Sequence, residues 1–350
     1  MKLGTQTTAA ILVEQRAPLV VDEIRLPEQL DVGQVLVELH YSGICGSQLG
    51  EIDGAKGPDR YLPHLLGHEG SGRVLETGPG VKHVKPGDTV VLHWRKGPGI
   101  EATPAAYEWR GEKLNAGWVT TFNRHAVISE NRLTVIPNET DLRVASLFGC
   151  AVTTGFGVVV NDAGLQIGES VVIFGAGGVG LNMVQAAAMT SADPIIAVDL
   201  FDGRLELASR MGATHTINAR EQDASAAIMQ ILDGQPLDVF IDNTGLPDII
   251  QTGYQLTSAT GRIVLVGVPR AGNDVSIYSL PLHFGKRLAG SHGGDTEPES
   301  DIPRYLRLFE KGKLPLSELL TETFPLEDIN TAIARMRDGS MAGRCLIDLT

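Results

Sequence analysis

The stretch Val171–Asn182 reads VVIFGAGGVGLN, and its pattern decides the predicted fold of the second half of the chain. Four apolar residues typical of a buried strand lead into a glycine-rich turn, and the helical pattern VGLNMVQAAAM follows at once. Gly175 lets the chain turn, Gly177 leaves room for a pyrophosphate, and Gly180 allows the helix to pack closely on the strand. A strand, spaced glycines and a helix in this order predict a dinucleotide-binding turn.

An acidic residue follows the turn where NAD recognition needs one. Asp199 ends the next apolar run, IIAVDL, about 20 residues on, where a carboxylate can accept from both ribose hydroxyls and repel the 2′-phosphate of NADP. The alternative is an ordinary glycine turn with an exposed aspartate. Arg204 is a candidate for the adenosine end, with a solvated surface charge as its alternative. The residues predicted to bind the dinucleotide at this turn are Gly175, Gly177, Gly178, Val179, Gly180, Asp199 and Arg204.

The surrounding sequence predicts two kinds of architecture. IIAVDL, DVFID and RIVLVGV alternate with helical stretches, which predicts a parallel sheet covered by helices on both faces. Ala9–Ile136 consists of short apolar stretches separated by Gly, Pro and Asp, and is predicted to be β-rich. Leu142–Val160 is predicted to form a helix that joins the halves. The region after about Ser291 is charged and helical, and it ends in the strand-like RCLIDL.

Composition restricts the possible partners. A chain of 350 residues exceeds one usual compact core, so two domains are expected. The net charge of -13 disfavours nucleic acid and anionic membranes, because phosphate binding depends on lysine and arginine. No apolar run approaches a membrane span or a signal-peptide core, so a cytoplasmic protein with a small-molecule partner is expected. Three scattered cysteines predict a reducing compartment rather than a disulfide framework.

Two cysteines and one histidine lie in contexts rich in small residues. Cys45 stands in SGICGSQLG, His68 precedes Glu69 in LLGHEGSGRV, and Cys150 stands in LFGCAVTTGFG. Two thiolates and one imidazole leave a fourth tetrahedral position open, which is the arrangement of a catalytic zinc acting as a Lewis acid. A cysteine is also commonly just a small buried hydrophobic residue, so the residue types alone leave both interpretations open.

The chain resembles the zinc-containing alcohol dehydrogenases of the medium-chain dehydrogenase/reductase family over nearly its whole length. The resemblance rests on GICGS, GHEGSGRV, VKPGDTVV, GCAVTTGFG, VVIFGAGGVG with Asp199, LVGVP and GRCLIDL. It implies an α/β protein with a β-rich, GroES-like, zinc-binding catalytic domain at 1–152 and 291–350. A Rossmann domain, with a doubly wound parallel sheet that binds NAD, is implied at 153–290. A homodimer or homotetramer is implied as well.

The resemblance also implies roles for residues around the metal. Cys45, His68 and Cys150 are expected to bind one catalytic zinc. Glu69 is expected to be a nearby carboxylate that approaches the metal during ligand exchange. Ser47 occupies the place of the hydroxyl that takes the proton of the substrate. The implied reaction is the transfer of a hydride between an alcohol and NAD.

Further implied roles concern the cofactor. Val266 and Val268 are expected to line the nicotinamide site, and Arg344 is expected to reach the pyrophosphate. Two alternatives remain for the function. One is a zinc-free reductase of quinones or enones, which the same fold supports. The other is an NAD-binding protein without catalytic activity.

The sequence departs from the family pattern near the metal. Gln48 stands where relatives usually have an acid that orients the zinc-bound histidine; an amide can still accept from imidazole but adds no charge. Gly50 replaces the histidine that ends the proton relay in several relatives, so the proton is expected to leave through a ribose hydroxyl and water. No cysteine lies between Cys45 and Cys150, which excludes the four-cysteine structural zinc that many relatives carry there.

Residues 94–118, which we call the lobe segment, stand in the place of that structural-zinc lobe. Four large aromatic residues are expected to anchor it by packing: Trp94, Tyr107, Trp109 and Trp118. Because the segment follows a strand that leads to the substrate cleft, Trp94 is a candidate pocket residue. A basic residue beside it would favour a polar, polyol-like or anionic alcohol. The alternative is a surface loop that contributes only to subunit contacts.

Overall fold

The computed structural model describes residues 2–350, which form two compact units. The first unit comprises the chain up to Cys150 together with Glu297–Ser340 and Arg344–Thr350. The second comprises Ala151–Thr296 together with Met341–Gly343. The first unit is thus built from both ends of the chain, and the second from its middle.

The first unit is rich in β-structure, as the punctuated apolar stretches predict. Its strands up to Cys150 are β1 (Gln6–Leu12), β2 (Val20–Arg25), β3 (Gln34–Gly43), β4 (His64–Leu65), β5 (Glu69–Thr77), β6 (Thr89–His93), β7 (Tyr107–Trp109), β8 (Glu112–Leu114), β9 (His125–Ser129) and β10 (Leu133–Ile136). Its helices there are α1 (Gly46–Ile52) and α2 (Leu142–Ser146). Both helices are short, so strands make up most of the regular structure in this part of the unit.

The second unit alternates strands and helices. The helices are α3 (Ala151–Gly157), α4 (Gly178–Met189), α5 (Asp202–Arg210), α6 (Ala224–Leu232) and α7 (Pro247–Leu256). The strands are β11 (Val171–Phe174), β12 (Ile195–Asp199), β13 (His215–Asn218), β14 (Leu237–Asp242), β15 (Thr257–Leu265) and β16 (Arg287–Gly290). They form a parallel sheet in the order β13-β12-β11-β14-β15-β16. Every side chain of β11 and β12 is buried, because helices cover both faces of such a sheet.

The chain then returns to the first unit. This part contains α8 (Pro298–Glu310), β17 (Leu320–Pro325), α9 (Ile329–Asp338) and β18 (Arg344–Asp348). In the described residues one sheet of this unit has the order β4-β1-β2-β7-β8, and the other has the order β10-β6-β5-β3-β18-β17 with β9 also paired to β3. The terminal β18 pairs with β3, which ends just before Cys45. The C-terminal strand therefore supports the segment that leads to a predicted zinc ligand.

The expectation of one helix over Leu142–Val160 is wrong. Helix α2 ends at Ser146, a 3₁₀ turn follows, and Cys150 has non-helical backbone angles (φ -151°, ψ -66°) before α3 begins. The break lies where Gly149 passes strand β6, since a Cβ there would lie 2.2 Å from a backbone carbonyl oxygen. No single helix in residues 2–350 is long and apolar enough to cross a membrane. The two bent segments at this break together have the length and composition of a membrane span, but most of their residues are buried inside the protein.

Candidate active site

The predicted zinc ligands come together in the first unit. Cys45, His68 and Cys150 offer one ligand atom each, and these atoms all lie within 4.8 Å of one another. Both cysteines are buried and His68 is half-buried. Neither cysteine forms a disulfide. Two sulfur ligands and one nitrogen ligand fit zinc and leave one tetrahedral position for a further ligand.

Cys45 is held in place by the first turn of α1. It precedes the helix with extended backbone angles (φ -103°, ψ 149°), and its N–H donates to Gln48 Oε1 at 2.9 Å. The backbone N–H of Gln48 in turn faces the Cys45 side chain, so the two residues cap the helix reciprocally. Gln48 is 1% exposed, and its Nε2 has no hydrogen-bond partner among the described residues. The Gln48 oxygen therefore accepts a hydrogen bond from the backbone of Cys45, a predicted zinc ligand. Sequence reasoning missed this contact.

Two glycines allow the other ligands to approach. Gly67 has a φ of +92°, and a Cβ on it would lie 2.3 Å from a threonine hydroxyl of the neighbouring loop. Gly149 would bring a Cβ to 2.2 Å from the Leu92 carbonyl oxygen. A larger residue at either position would displace His68 or Cys150. Gly67 and Gly149 are therefore needed for His68 and Cys150 to reach their positions in the cluster.

The electrostatics of the cluster favour a thiolate. A hydrogen bond with the Cys150 thiol holds the pKa of Cys45 well below its ordinary value; burial opposes this, while His68 and the charge of Arg344 act in the same direction as Cys150. The thiolate is the form that binds metals. Arg344 forms an ion pair with Glu69, and both side chains are buried. The predicted contact of Arg344 with a pyrophosphate stays a prediction.

Two further predicted site residues lie in the first unit. Ser47 is half-buried on the first turn of α1, two residues after Cys45. Trp94 is half-buried directly after β6, and its carbonyl accepts from Arg132 Nη1 at 2.8 Å. The Arg95 guanidinium carbon lies 5.9 Å from the centre of the Trp94 ring. The roles of Ser47 in proton transfer and of Trp94 in substrate binding stay predictions.

Aromatic packing accounts for only part of the attachment of the lobe segment. Tyr107 is buried, and its hydroxyl oxygen accepts from the Val127 N–H at 2.7 Å. Trp109 is half-buried and donates to Asp22 Oδ2 at 2.9 Å. Trp118 is 44% exposed, and the Arg132 guanidinium carbon lies 5.4 Å from the centre of its ring, so this ring is only partly packed.

Glu130 is the anchoring residue that sequence reasoning missed. Its buried carboxylate accepts from the N–H groups of Lys82 and His83 at 2.5 and 2.8 Å and from the Ile100 N–H at 2.8 Å. Burial opposes ionisation of Glu130, but these three hydrogen bonds outweigh it and lower the pKa. One carboxylate thus joins two loops. The sequence signal is a single acid between the strand-like runs HAVIS and LTVI, which does not distinguish a buried acid from a solvated one.

The glycine-rich turn of the second unit has the predicted form. Gly175 follows β11 with a φ of +100°, and Gly177 precedes α4, which begins with Gly178 and Val179. A Cβ on Gly180 would lie 2.0 Å from the Gly175 carbonyl oxygen, so only glycine lets the helix pack here. The N–H groups and the dipole at the start of α4 are suited to a phosphate.

Asp199 ends β12, and its carboxylate also shapes the turn. Oδ2 accepts from the Ala176 N–H at 2.8 Å, and Oδ1 accepts from the Leu200 N–H at 2.7 Å. Arg204 Nη1 lies 3.6 Å from Oδ1, and its guanidinium carbon lies 4.7 Å from the centre of the Phe201 ring. Asp199 is therefore fixed beside the glycines, with its side chain 5% exposed.

The predicted nicotinamide residues follow β15. The Val266 N–H donates to the Asp242 carbonyl at 2.8 Å, and Val268 is exposed. Asn243, which sequence reasoning did not single out, donates from Nδ2 to the Gly175 carbonyl at 3.1 Å. Strands β11 and β14 pair in parallel, so their carboxyl ends meet at one edge of the sheet. A residue that directly follows β14 was therefore predictable as a partner of the turn.

Comparisons with known proteins agree with both parts of this site. Residues 31–138 match the alcohol dehydrogenase GroES-like domain, and residues 178–311 match the zinc-binding dehydrogenase family. An S-(hydroxymethyl)glutathione dehydrogenase from Synechocystis sp. is 32% identical, over 95% of this chain and 97% of that protein. The chain belongs to the zinc-containing alcohol dehydrogenases of the medium-chain dehydrogenase/reductase family. This dehydrogenase is therefore an enzyme of zinc-dependent alcohol oxidoreduction with NAD, as the sequence predicts.

Solved structures resemble this dehydrogenase along its whole length. The alcohol dehydrogenase zinc-binding domain protein from Burkholderia ambifaria has a TM-score of 0.88 at 31% identity, covering 99% of each chain. Benzyl alcohol dehydrogenase from Acinetobacter calcoaceticus has a TM-score of 0.88 at 29% identity, covering 99% of this chain and 100% of that chain. The predicted fold class, a GroES-like domain with a Rossmann domain, is confirmed.

Proposed function

We propose that this dehydrogenase moves a hydride between an alcohol and NAD with the help of a zinc ion bound by Cys45, His68 and Cys150. The observation that carries the proposal is the convergence of two thiols and one imidazole within 4.8 Å. Zinc bound there supplies a Lewis acid for the oxygen of the alcohol or carbonyl. A zinc-free quinone or enone reductase, or a non-catalytic NAD-binding protein, has no need of this ligand set.

Ser47 takes the proton of the alcohol. It stands on the turn that follows Cys45, and a hydroxyl there can accept a proton from the substrate and donate its own onward. Because Gly50 replaces the relay histidine of several relatives, no side chain at that position would carry the proton onward, and a ribose hydroxyl of bound NAD and water would supply its path. Glu69, which is paired with Arg344, is the carboxylate that would reach a zinc ion during ligand exchange.

NAD binds to the turn of the second unit. The N–H groups at the start of α4 bind the pyrophosphate, with Arg344 as a further contact, and Asp199 accepts from the ribose hydroxyls. Arg204 lies at the adenosine end. Val266 and Val268 line the nicotinamide site. The domains that carry these functions are 153–290 for NAD and 1–152 with 291–350 for catalysis.

The metal content follows from the cysteines. We propose one catalytic zinc and no four-cysteine structural zinc, because the chain has three cysteines. The remaining one, Cys345, is buried, and burial raises its pKa to about 12, so it is a poor metal ligand.

The absence of disulfides in residues 2–350 supports a cytoplasmic location.

A homodimer or homotetramer is the proposed assembly. Strand β16 is one of the two edge strands of the parallel sheet in the described residues. The chain just before it exposes large apolar side chains, among them Tyr278 at 71% and Phe284 at 73%. An open sheet edge next to exposed aromatic rings is a surface that a second copy of the chain would cover.

The proposed substrate is a polar, polyol-like or anionic alcohol. In this proposal Trp94 borders the pocket. Arg95 lies over the Trp94 ring, so that one positive charge stands beside the indole. A positive site of this kind attracts a hydroxyl compound that carries a negative or strongly polar group.

Zinc quantification combined with an activity panel tests the function. The purified protein is expected to hold about one tightly bound zinc per chain, and its reduction of NAD by alcohols is expected to follow the zinc content. Protein treated with a chelator serves as the matched control and should regain activity when zinc is returned. Full alcohol oxidation by zinc-free protein would contradict the metal assignment. A zinc-loaded protein that neither oxidises alcohols nor reduces carbonyls would contradict the enzyme assignment.

A further inference from the structure

A second group of metal-ligating side chains lies apart from the zinc ligands. Glu51 near the end of α1, Asp59 in the following loop and His64 in β4 offer one ligand atom each, and these atoms all lie within 4.8 Å of one another. We call these residues the α1 cluster. They belong to the chain segment between Cys45 and His68, and the proposed reaction uses none of them.

The histidine of the α1 cluster is oriented like a metal ligand. His64 is 8% exposed, and its Nδ1 lies 3.0 Å from the Leu65 carbonyl oxygen, so Nδ1 carries a hydrogen. In the neutral ring the lone pair of Nε2 then points at Asp59 Oδ2, 2.8 Å away. An imidazole between two oxygen acceptors needs a second proton or a metal ion at Nε2. Metal-bound histidines almost always donate their other N–H in this way.

The carboxylate of the α1 cluster is also oriented by its surroundings. Asp59 Oδ1 accepts from the Tyr61 N–H at 2.8 Å, which leaves Oδ2 directed at His64. The loop that carries Asp59 is fixed by Gln15, which donates to the Gly57 carbonyl at 3.1 Å and accepts from the Asp59 N–H at 3.3 Å. Hydrogen bonds behind the ligands are a usual feature of metal sites in proteins.

The charge of the α1 cluster suits a cation. No lysine or arginine among residues 2–350 forms an ion pair with Glu51 or Asp59, so neither carboxylate is neutralised by a basic side chain of these two types. Glu51 is exposed, and its side chain can therefore adjust to an ion that enters from solvent. One imidazole and two carboxylates suit zinc and related transition metals, whereas Mg²⁺ and Ca²⁺ prefer oxygen ligands alone.

We propose that Glu51, Asp59 and His64 form a second, non-catalytic site for a divalent transition-metal ion of the zinc type. Three protein ligands and one water complete a tetrahedral set. The bound ion links the end of α1 to the following loop and to β4, and so stabilises the segment that connects Cys45 to His68. Because it lacks thiolates, the site binds zinc more weakly than the catalytic ligands do. The inference does not rest on the proposed catalytic function.

Calorimetric titration of the zinc-loaded enzyme with additional Zn²⁺ tests the proposal, since the catalytic ligands are then already occupied. Wild type is expected to bind about one further zinc per chain. Glu51→Gln is expected to bind it at least about tenfold more weakly, since even the partners behind a ligand contribute roughly 10- to 100-fold. His64→Asn, which keeps a donor for the Leu65 carbonyl, is expected to lose the binding. Glu14→Gln, at an exposed glutamate outside the cluster, is the matched control.

Thermal unfolding supplies a second readout. Added Zn²⁺ is expected to raise the Tm of wild type and of Glu14→Gln, because an ion that binds the folded state stabilises it, but to raise that of Glu51→Gln much less. Mg²⁺ in excess is expected to have no such effect. Since Glu51 is exposed, its substitution keeps the fold, and the test does not depend on the folding of His64→Asn. A wild type without a second zinc, or a Glu51→Gln variant that binds it as tightly as wild type, overturns the proposal.

Discussion

The glycine-rich turn and the zinc-ligand cluster are built in opposite ways. The glycines of the turn lie within Gly175–Gly180, where strand β11 passes directly into helix α4. The zinc ligands come from three distant places: Cys45 before α1, His68 between β4 and β5, and Cys150 after the 3₁₀ turn. A local motif carries its own geometry, whereas a distributed site exists only once the sheets of its unit have formed.

This difference predicts that the two sites can be damaged separately. Substitutions at the zinc ligands act within the first unit and those at the turn within the second, and each unit has its own sheets and buried core. Metal content and cofactor affinity are therefore independent readouts. A variant that changes both together would indicate that the separation is incomplete.

Loss of a thiolate ligand is expected to have the largest effect. Cys150→Ser and Cys45→Ser should lose zinc and turnover, because a hydroxyl is a much weaker zinc ligand than a thiolate. NAD affinity, measured by calorimetry, should stay nearly unchanged because the phosphate site is made by the glycine-rich turn. Cys345→Ser, at the buried thiol outside the cluster, is the matched control and should keep its zinc. Turnover at the wild-type rate by metal-free Cys150→Ser protein would refute the ligand assignment.

Replacement of the Ser47 hydroxyl is expected to have the second-largest effect on turnover. Ser47→Ala should lower kcat about a hundredfold, the usual contribution of a general acid–base group, with zinc content unchanged. Ser47→Thr keeps a hydroxyl and should retain most of the activity, which separates a loss of chemistry from a loss of packing on α1. A decrease of less than about threefold in the alanine variant would mean that water carries the proton.

Replacement of Asp199, the acid beside the turn, is expected to have a smaller effect on turnover, exerted through cofactor binding. Asp199→Asn keeps an oxygen for the Leu200 N–H, but it removes the charge and turns an NH₂ group toward the Ala176 N–H of the turn. NAD affinity should therefore fall about tenfold to a hundredfold, equivalent to roughly 1.5 to 3 kcal/mol. The NADP-to-NAD affinity ratio should rise, because the repulsion of a 2′-phosphate is lost. Zinc content should not change. A wild-type preference for NADP would overturn the cofactor assignment.

The sequence predicts the local site well and the distributed site only in part. The all-apolar run of β11, the glycines and the acid at the end of β12 are local signals, and the structure has each where the sequence predicts it. The break in the chain at Cys150 depends on the approach of Gly149 to β6, which no local pattern reveals. The contacts of Gln48 and Glu130 are likewise made by tertiary structure. For the zinc ligands, residue type alone does not distinguish a metal ligand from a buried cysteine, and only the family resemblance favours a metal site.

Glu130 tests whether a hydrogen-bonded carboxylate holds the lobe segment, at Ile100, to the loop at Lys82 and His83. Glu130→Gln keeps one oxygen but turns an NH₂ group toward a backbone N–H, so unfolding free energy at neutral pH should fall by about 1 to 3 kcal/mol. Its folded-state pKa is lowered, so its contribution is present above the ordinary glutamate pKa and is lost as pH falls through the folded-state value. The Tm difference between wild type and variant should therefore shrink in acid. A difference independent of pH would contradict this.

The smallest effect is expected from substitutions beside Trp94, where the lobe segment is proposed to reach the substrate. Arg95 lies over the Trp94 ring, so Arg95→Ala, which removes that charge, should lower kcat/KM for carboxylated or phosphorylated alcohols relative to neutral ones. The expected change in that ratio is about two- to fivefold, the size of a solvent-exposed ion pair, and it should diminish at high salt. Lys96→Ala, at the exposed neighbouring cation, shows whether one guanidinium or the general positive charge is responsible. If both variants leave the ratio unchanged, the lobe segment is a surface loop, and its role lies in contacts between subunits rather than in the choice of alcohol.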